Sequence, residues 1–222
     1  MPQISPFNER QWQEKVRRRE LRRYAWLISM LADEVQLTED FSTDTPRKLA
    51  VLIKETADII ANCIPDVPPE NLVDITDFLY IIAAHLRYVE RARVMQTPWS
   101  LILTVEYFLK KQTSPKNNFI IRPTWAYNYS LIGDFWEFYK KMLGGWSWFP
   151  LDELKKKILH KDNETIFCIS FPRLERTNCL LHANWGHEVG HIIAKKWIDS
   201  NFDKMWFEVQ PDIKNRIEEY VK

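Results

Sequence analysis

Residues 187–191 read His-Glu-Val-Gly-His, and this short pattern constrains the fold more than any other stretch of the chain. On an α-helix, residues four apart lie about 40° from each other around the axis and one turn apart along it. The imidazoles of His187 and His191 can therefore bind one metal ion when this segment is helical. Glu188 lies on the neighbouring strip, where a carboxylate can take a proton from water. We expect a helix over about residues 178–199.

The residues around this pattern are uncharged, which is typical of a helix in a protein core. Asn184–Gly186 precede the pattern and Ile192–Ile193 follow it. We therefore expect the helix to be buried except for its metal-binding face. In the alternative interpretation, the two histidines are hydrogen-bonded core residues and Glu188 is their buried partner.

The segment from Leu180 to His191 resembles the active-site helix of the zincin metallopeptidases. The resemblance implies that His187 and His191 bind Zn²⁺ and that Glu188 is the general base. The implied activity is that of a zinc metallopeptidase, which hydrolyses a peptide or protein substrate with metal-activated water. The resemblance is confined to this part of the chain, and no family is recognised in residues 1–160.

A catalytic zinc normally has three protein ligands, and the sequence leaves the third one open. The metzincin pattern does not continue here, because Ala194 and Trp197 stand where it has glycine and histidine. The gluzincins use a glutamate on a following helix, and a common position for it is Gln210 in this chain. We expect a gluzincin-like site. If its third ligand is not in this chain, we expect the metallopeptidase region to be truncated. The alternatives for that ligand are Glu208, Glu218, Glu219 and a residue beyond Lys222.

The composition of the chain narrows its class. A formal net charge of +1 over 222 residues argues against a protein devoted to binding polyanions. A hydrophobic content of 45%, with 10 Trp and 12 Phe, indicates a folded chain with a sizeable core. No apolar run reaches the length needed to cross a bilayer, and the first residues lack the pattern of a signal peptide. The cysteines Cys63, Cys168 and Cys179 are widely separated, which fits a reducing compartment, and we expect a cytoplasmic protein.

Hydrophobic periodicity predicts a fold that is α+β and predominantly α, with an N-terminal helical bundle followed by a small zincin-like sheet and the active-site helix. The polar stretch 112–118 is the predicted boundary between a helical N-terminal region, 1–112, and a zincin-like metallopeptidase region, 113–222. The predicted helices of the first region are 8–36, 46–61, 71–94 and 98–111. The second region is predicted to contain strands at 119–121, 126–129 and 164–171 and short helices at 131–143 and 152–159.

Two further segments have competing interpretations. The strand at 164–171 is either an edge strand that binds an extended peptide or a central strand buried on both faces. Trp146, Trp148 and Phe149 are expected to pack under the core rather than to line a substrate pocket.

The basic run between Arg17 and Arg23 bears on possible partners. The favoured interpretation is a solvated helix face or a contact with a regulatory protein partner, whereas nucleic acid is a less favoured partner and a membrane is not expected. Together with the missing third ligand, this run supports an alternative to the enzyme: a zincin-derived regulatory or interaction module with an incomplete metal site.

Overall fold

The computed structural model describes most of the first 175 residues and scattered positions after them. The described residues are 9–38, 40–97, 99–112, 116–126, 129–158, 164–175, 187, 190–191, 193–194, 197–198, 200–202 and 210–211. They form a mostly helical protein with a small mixed sheet after an N-terminal helical region. Among them, no helix combines the length and the apolar character needed to cross a membrane.

The helices and strands follow the predicted order closely. In chain order they are α1 (Glu9–Thr38), α2 (Thr45–Cys63), α3 (Leu72–Arg91), α4 (Trp99–Gln112), β1 (Asn117–Thr124), β2 (Ser130–Ile132), α5 (Phe135–Gly144), α6 (Leu151–Ile158) and β3 (Thr165–Pro172). Short 3₁₀ turns cover Ile64–Asp66, Pro69–Asn71 and Arg173–Glu175. The four helices predicted before residue 112 are thus confirmed to within a few residues.

Helix α1 buries only a narrow stripe against the other helices. Its buried apolar residues recur alternately every four and three positions: Leu21, Ala25, Ile28, Ala32 and Val35. This spacing is the seam of a helix that packs nearly parallel or antiparallel to its neighbour. The two alanines are fully buried and allow α2 to approach closely. Most of the other side chains around α1 are therefore exposed to solvent.

Strand β3 is the central strand of the sheet. It pairs in parallel with β1, where Arg122 lies opposite Ser170, and antiparallel with β2, where Leu131 lies opposite Ile169. The interpretation of this segment as a central strand is therefore confirmed. Because both of its edges are paired over 168–170, β3 has no free edge there to which a peptide could be added.

The two faces of the sheet contribute to two separate hydrophobic cores. Ile120 of β1 and Cys168 of β3 belong to the large core with α1, α2, α3, α5 and α6. Phe119 and Ile169 belong to a smaller core with α4. Neighbouring residues along a strand point to opposite faces, so a strand between two cores must be apolar at nearly every position. The large core draws on residues before and after residue 112, and the boundary predicted there stays a prediction.

The aromatic residues after α5 pack as predicted. The rings of Trp146 and Trp148 stack with centroids 4.9 Å apart, and Phe149 is buried. Trp146 also meets Phe78 of α3 edge-on at 5.3 Å. These rings connect the second half of the chain to the helical core.

The sequence prediction is wrong at the described residues between 126 and 134. Ala126 and Tyr129 are not in a strand, the other two residues of the strand predicted at 126–129 lie outside the described part of the chain, and the helix predicted at 131–143 begins only at Phe135, after β2 at Ser130–Ile132. Leu131 and Ile132 have the apolar character of a helix face, but they pair with β3. Asp134 then fixes the start of α5, because its carboxylate accepts a hydrogen bond from the Trp136 amide at 3.0 Å.

The same carboxylate of Asp134 also joins α5 to the sheet. It accepts a hydrogen bond from the amide of Ile166 at 3.2 Å, two residues before β3 begins to pair with β2. Burial raises the pKa of Asp134, and hydrogen bonds from the amides of Ile166, Trp136 and Glu137 partly offset that effect. One side chain therefore satisfies backbone amides of both a helix end and a strand.

We expect Asp134→Ala to lower the free energy of unfolding by about 2 kcal/mol, because it removes a helix cap and leaves the Ile166 amide without its acceptor. Asp134→Asn is the matched control, since its amide oxygen can still accept both bonds, and it should lose less than half as much. Urea unfolding followed by circular dichroism measures both changes. Equal losses in the two variants would contradict the double role of this side chain.

Candidate metal centre

Three residues of the His-Glu-Val-Gly-His pattern are described, His187, Gly190 and His191, and all three are helical, as the spacing of the histidines requires. Every described residue between 187 and 202 is helical, and this stretch is called the motif segment below. The side chains of His187 and His191 are both exposed, and their Nε2 atoms are 3.1 Å apart. The ring centroids are 4.6 Å apart, and the ring planes are nearly perpendicular at 85°. The two imidazoles therefore converge on one location beside the helix.

The separation of 3.1 Å between the two Nε2 atoms is compatible with binding to one zinc ion. With Zn–N bonds of about 2.0–2.1 Å, this separation corresponds to an angle of about 100° at the ion, close to tetrahedral. The same distance fits an N–H···N hydrogen bond between neutral imidazoles. Both nitrogens become ligands once the ring protons are on Nδ1, so the pair has the geometry of a bidentate site.

The motif segment is more exposed than its sequence predicts. Ile193 is 43% exposed, Trp197 56% and Ile198 41%. The prediction of a helix buried except for its metal-binding face is wrong for Ile193 and Trp197, because an apolar composition does not determine what a helix packs against. The interpretation of His187 and His191 as core histidines is also wrong, since both are exposed.

An apolar stripe continues the histidine face along the motif segment. Ala194, Ile198 and Phe202 follow His187 and His191 at steps of three or four residues, and all five side chains are exposed. Residues at such steps lie on one side of a helix. A ligand bound at the histidines would therefore meet apolar surface on one side of the metal.

The remaining parts of the expected site lie outside the described residues. These parts are the expected base, Glu188, and the expected third ligands, Glu208, Glu218 and Glu219. Within the described part of the chain, no group of three His, Cys, Asp or Glu side chains is arranged to hold a metal ion. The structure thus brings the two histidines together and leaves the rest of the ligand set as a prediction.

The described cysteines do not resemble metal ligands or nucleophiles. Cys63 is half-buried and Cys168 is buried, and both are free thiols. Burial raises the pKa of each thiol, which disfavours the thiolate that metal binding and nucleophilic attack require. Cys179 lies outside the described residues.

Arg122 is a buried cation to which the sequence analysis gave no role. It lies on β1 and is 7% exposed, and its guanidinium stacks 3.8 Å above the ring centre of Tyr88. A charged residue directly after Phe119–Ile121 is the signal that could have identified it. Stacking on an aromatic ring stabilises a cation within the core, and this contact connects β1 to α3.

His85 is the buried histidine of α3, and it does not contribute to the metal centre. Its Nδ1 lies 3.2 Å from the hydroxyl of Tyr139, in a cage of aromatic rings that includes Phe135 and Tyr88. Burial lowers the pKa of His85 to about 4 and raises the pKa of Tyr139 well above its usual value. Near neutral pH the Tyr139 hydroxyl therefore stays protonated, the imidazole is neutral, and the two groups share one hydrogen bond.

The low pKa of His85 predicts acid destabilisation of the fold. In the unfolded chain this group takes up a proton near pH 6.5, whereas in the folded protein it does so only near pH 4, so stability falls as the pH drops through that window. We expect a loss of about 2 kcal/mol in the free energy of unfolding between pH 7 and pH 5 from this group.

His85→Gln is the variant that tests this effect, because glutamine can accept the Tyr139 hydrogen bond but does not titrate. Urea unfolding at a series of pH values should show a smaller acid loss in the variant than in the unsubstituted protein. Parallel stability curves for the two proteins would contradict the assignment.

The chain was also compared with known proteins. No protein-family model matches it, no curated protein matches it in sequence, and no solved structure matches its fold.

Proposed function

We propose that this chain is a zinc-dependent metallopeptidase, gluzincin-like, with an active-site helix that contains His187 and His191. The observation that carries the proposal is the convergence of the two Nε2 atoms, 3.1 Å apart on an exposed helix face. Two histidines four residues apart with a glutamate directly after the first form the ligand and base pattern of zinc peptidases.

The proposed roles divide between metal binding and proton transfer. Zn²⁺ bound by His187 and His191 would supply Lewis acidity toward water and toward the carbonyl of the substrate. Glu188 is proposed to take a proton from water and to transfer it to the leaving amine. The third ligand is proposed to be a residue downstream of the motif: Glu208, Glu218, Glu219 or a residue beyond Lys222.

The apolar stripe beside the histidines supports a peptide substrate. Ile198 and Phe202 are 41% and 55% exposed on the same side of the motif segment as His191. Surface of this kind is suited to an apolar side chain next to the bond that is hydrolysed. We propose peptides with an aliphatic or aromatic residue at that position as the first substrates to try.

The alternative function is a zincin-derived regulatory or interaction module with an incomplete metal site. The observation that favours it is the basic run between Arg17 and Arg23 on α1, which suits a contact with another protein. In this alternative the N-terminal helical region would bind a regulatory protein partner. Zinc content and hydrolysis, measured separately, distinguish the two functions.

We expect the purified protein to contain about one zinc per chain, because two converging imidazoles and a carboxylate are a common zinc ligand set. His187→Ala and His191→Ala should each remove the metal. His85→Gln is the matched control, since it alters a histidine outside the motif and should leave the zinc content unchanged. Elemental analysis by mass spectrometry gives these values, and equal zinc in all four proteins would rule out the site.

The third ligand can be identified in the same assay. Glu208→Gln, Glu218→Gln and Glu219→Gln each replace one carboxylate by an amide of the same shape. The variant that lowers zinc affinity tenfold or more identifies the ligand, because amides bind zinc much more weakly than carboxylates.

We expect Glu188→Gln to keep its zinc and to lose hydrolysis by at least a hundredfold, since a positioned general base contributes about 10²–10⁴ to the rate. A quenched fluorescent peptide library with apolar residues next to the scissile bond provides the substrates. Retention of near-normal turnover in this variant would exclude Glu188 as the base. Zinc without hydrolysis in the unsubstituted protein would instead support the regulatory module.

A further inference from the structure

A groove with a strongly basic wall lies between α1 and the C-terminal end of α2. It encloses a cavity of about 680 Å³, and residues from both helices line it. The wall formed by α1 consists of Lys15, Arg18, Arg19, Arg22, Arg23 and Trp26. These residues follow one another at alternating steps of three and one positions, so they lie on one side of the helix. This set is called the basic groove below.

The charge of the chain is concentrated at the basic groove. Residues 9–23 contain seven basic and three acidic side chains, a local net charge of +4 in a chain whose total is +1. The low total charge therefore does not describe this surface. A concave site with one sign of charge concentrates the electric field and attracts a ligand of the opposite sign.

Arg18 is held within the fold, whereas its neighbours are available to a ligand. Its guanidinium donates to the backbone carbonyl of Ile64 at 2.7 Å and to the carboxylate of Glu14 at 2.6 Å. Arg19, Arg22 and Arg23 are exposed, and within the described part of the chain no carboxylate pairs with them. The three guanidinium groups keep their full set of donors for an external anion.

The opposite wall adds little opposing charge. Asp58 is the one carboxylate among the described residues that line the cavity, and it is already paired with Lys54 at 3.6 Å. Asn62 and Pro65 contribute an uncharged polar group and an apolar ring. A ligand in the groove would therefore meet cations on one side and a nearly neutral surface on the other.

An exposed indole completes the site. Trp26 lies at the end of the cationic row and is 57% exposed, although a tryptophan normally buries most of its surface. Arginines that contact phosphates beside an aromatic ring that stacks with a base are the two components of surfaces that bind single-stranded nucleic acid. We propose that the basic groove binds a short segment of single-stranded nucleic acid, with phosphates on Arg19, Arg22 and Arg23 and a base on Trp26.

The geometry favours a single strand over other anionic partners. The cations recur about every 5–6 Å along the helix axis and line a groove rather than a flat face, so one extended backbone can follow them. A duplex is too wide to enter a cavity between two packed helices. An acidic peptide would offer carboxylates to the arginines, but it need not contain an aromatic ring that could stack on Trp26. Guanidinium groups also match the planar pairs of phosphate oxygens better than lysine does.

The test is the binding of a fluorescein-labelled oligothymidylate of fifteen nucleotides to the full chain, followed by anisotropy over a range of salt concentrations. Each phosphate contact in a single strand contributes about 0.7 to the slope of log affinity against log salt. With three arginines and Lys15 engaged, the expected slope is about −3, and it should fall to about −1 in Arg19→Ala/Arg22→Ala/Arg23→Ala. That variant should bind at least tenfold more weakly.

A charge-matched control separates the groove from general attraction. Lys111→Ala/Lys141→Ala/Lys156→Ala removes three exposed cations from α4, α5 and α6, and it should keep the affinity within about twofold. Trp26→Ala should weaken binding about tenfold, and Trp26→Phe should restore most of it, because phenylalanine still stacks. Thermal unfolding of each variant confirms that the fold is retained.

Several outcomes would overturn the proposal. These are an absence of salt-dependent binding, an equal loss in the two triple variants, and an equal affinity for Trp26→Ala and Trp26→Phe. A poly-glutamate peptide that competes as well as the oligonucleotide would identify a surface for acidic proteins instead. Tighter binding of a duplex of the same length would exclude the single-strand geometry.

Discussion

The burial of β3 on both faces is the constraint on which the second half of the structure depends. One face of this strand packs into the large helical core and the other into the smaller core with α4. β1 and β2 can pair with it only in the registers that keep their side chains on the matching faces, since a slip of one residue would move each side chain into the core on the other face. The hydrogen bond from the Ile166 amide to Asp134 then ties the start of the strand to the start of α5. The sheet is small, but its register is determined by two cores and by one shared carboxylate.

The helical half of the structure depends on the packing of α1 against α2. Helix α1 uses a seam of small and medium residues, including Ala25 and Ala32, to pack against α2 over a long distance. A narrow seam leaves most of the helix circumference in solvent, where Arg19, Arg22 and Trp26 lie. The same geometry that makes α1 a stable packing partner thus also presents a continuous exposed face. The basic groove is a product of this packing, because α2 ends beside that face and its last turn forms the second wall.

Local regularities in the sequence predicted most of the fold, and tertiary pairing accounts for the errors. The helices before residue 112 follow a strong periodicity, and β3 is a run of apolar residues, so both were predicted with nearly correct bounds. Leu131 and Ile132 were assigned to a helix, because two apolar residues in a row do not reveal that they pair with a strand more than thirty residues later. The exposure of Ile193 and Trp197 has the same origin: composition indicates that a side chain is apolar but not whether a partner covers it. For the site, the spacing of the motif was sufficient to predict that His187 and His191 converge, whereas a third ligand from another element depends on the tertiary fold.

The metal centre and the basic groove rest on different residues and on different physical interactions, and this separates the two proposals. The proposed metal binding would depend on short-range coordination by His187 and His191, so it should change little with salt. Binding in the groove depends on the release of counterions around Arg19 and its neighbours, so it weakens steeply with salt. A zinc chelator at constant salt should therefore act mainly on the histidine pair, and an increase in salt should act mainly on the groove. If the two binding events respond together to either change, the sites are coupled through the fold, and the nucleic acid would then be a regulator of the proposed peptidase rather than an independent ligand.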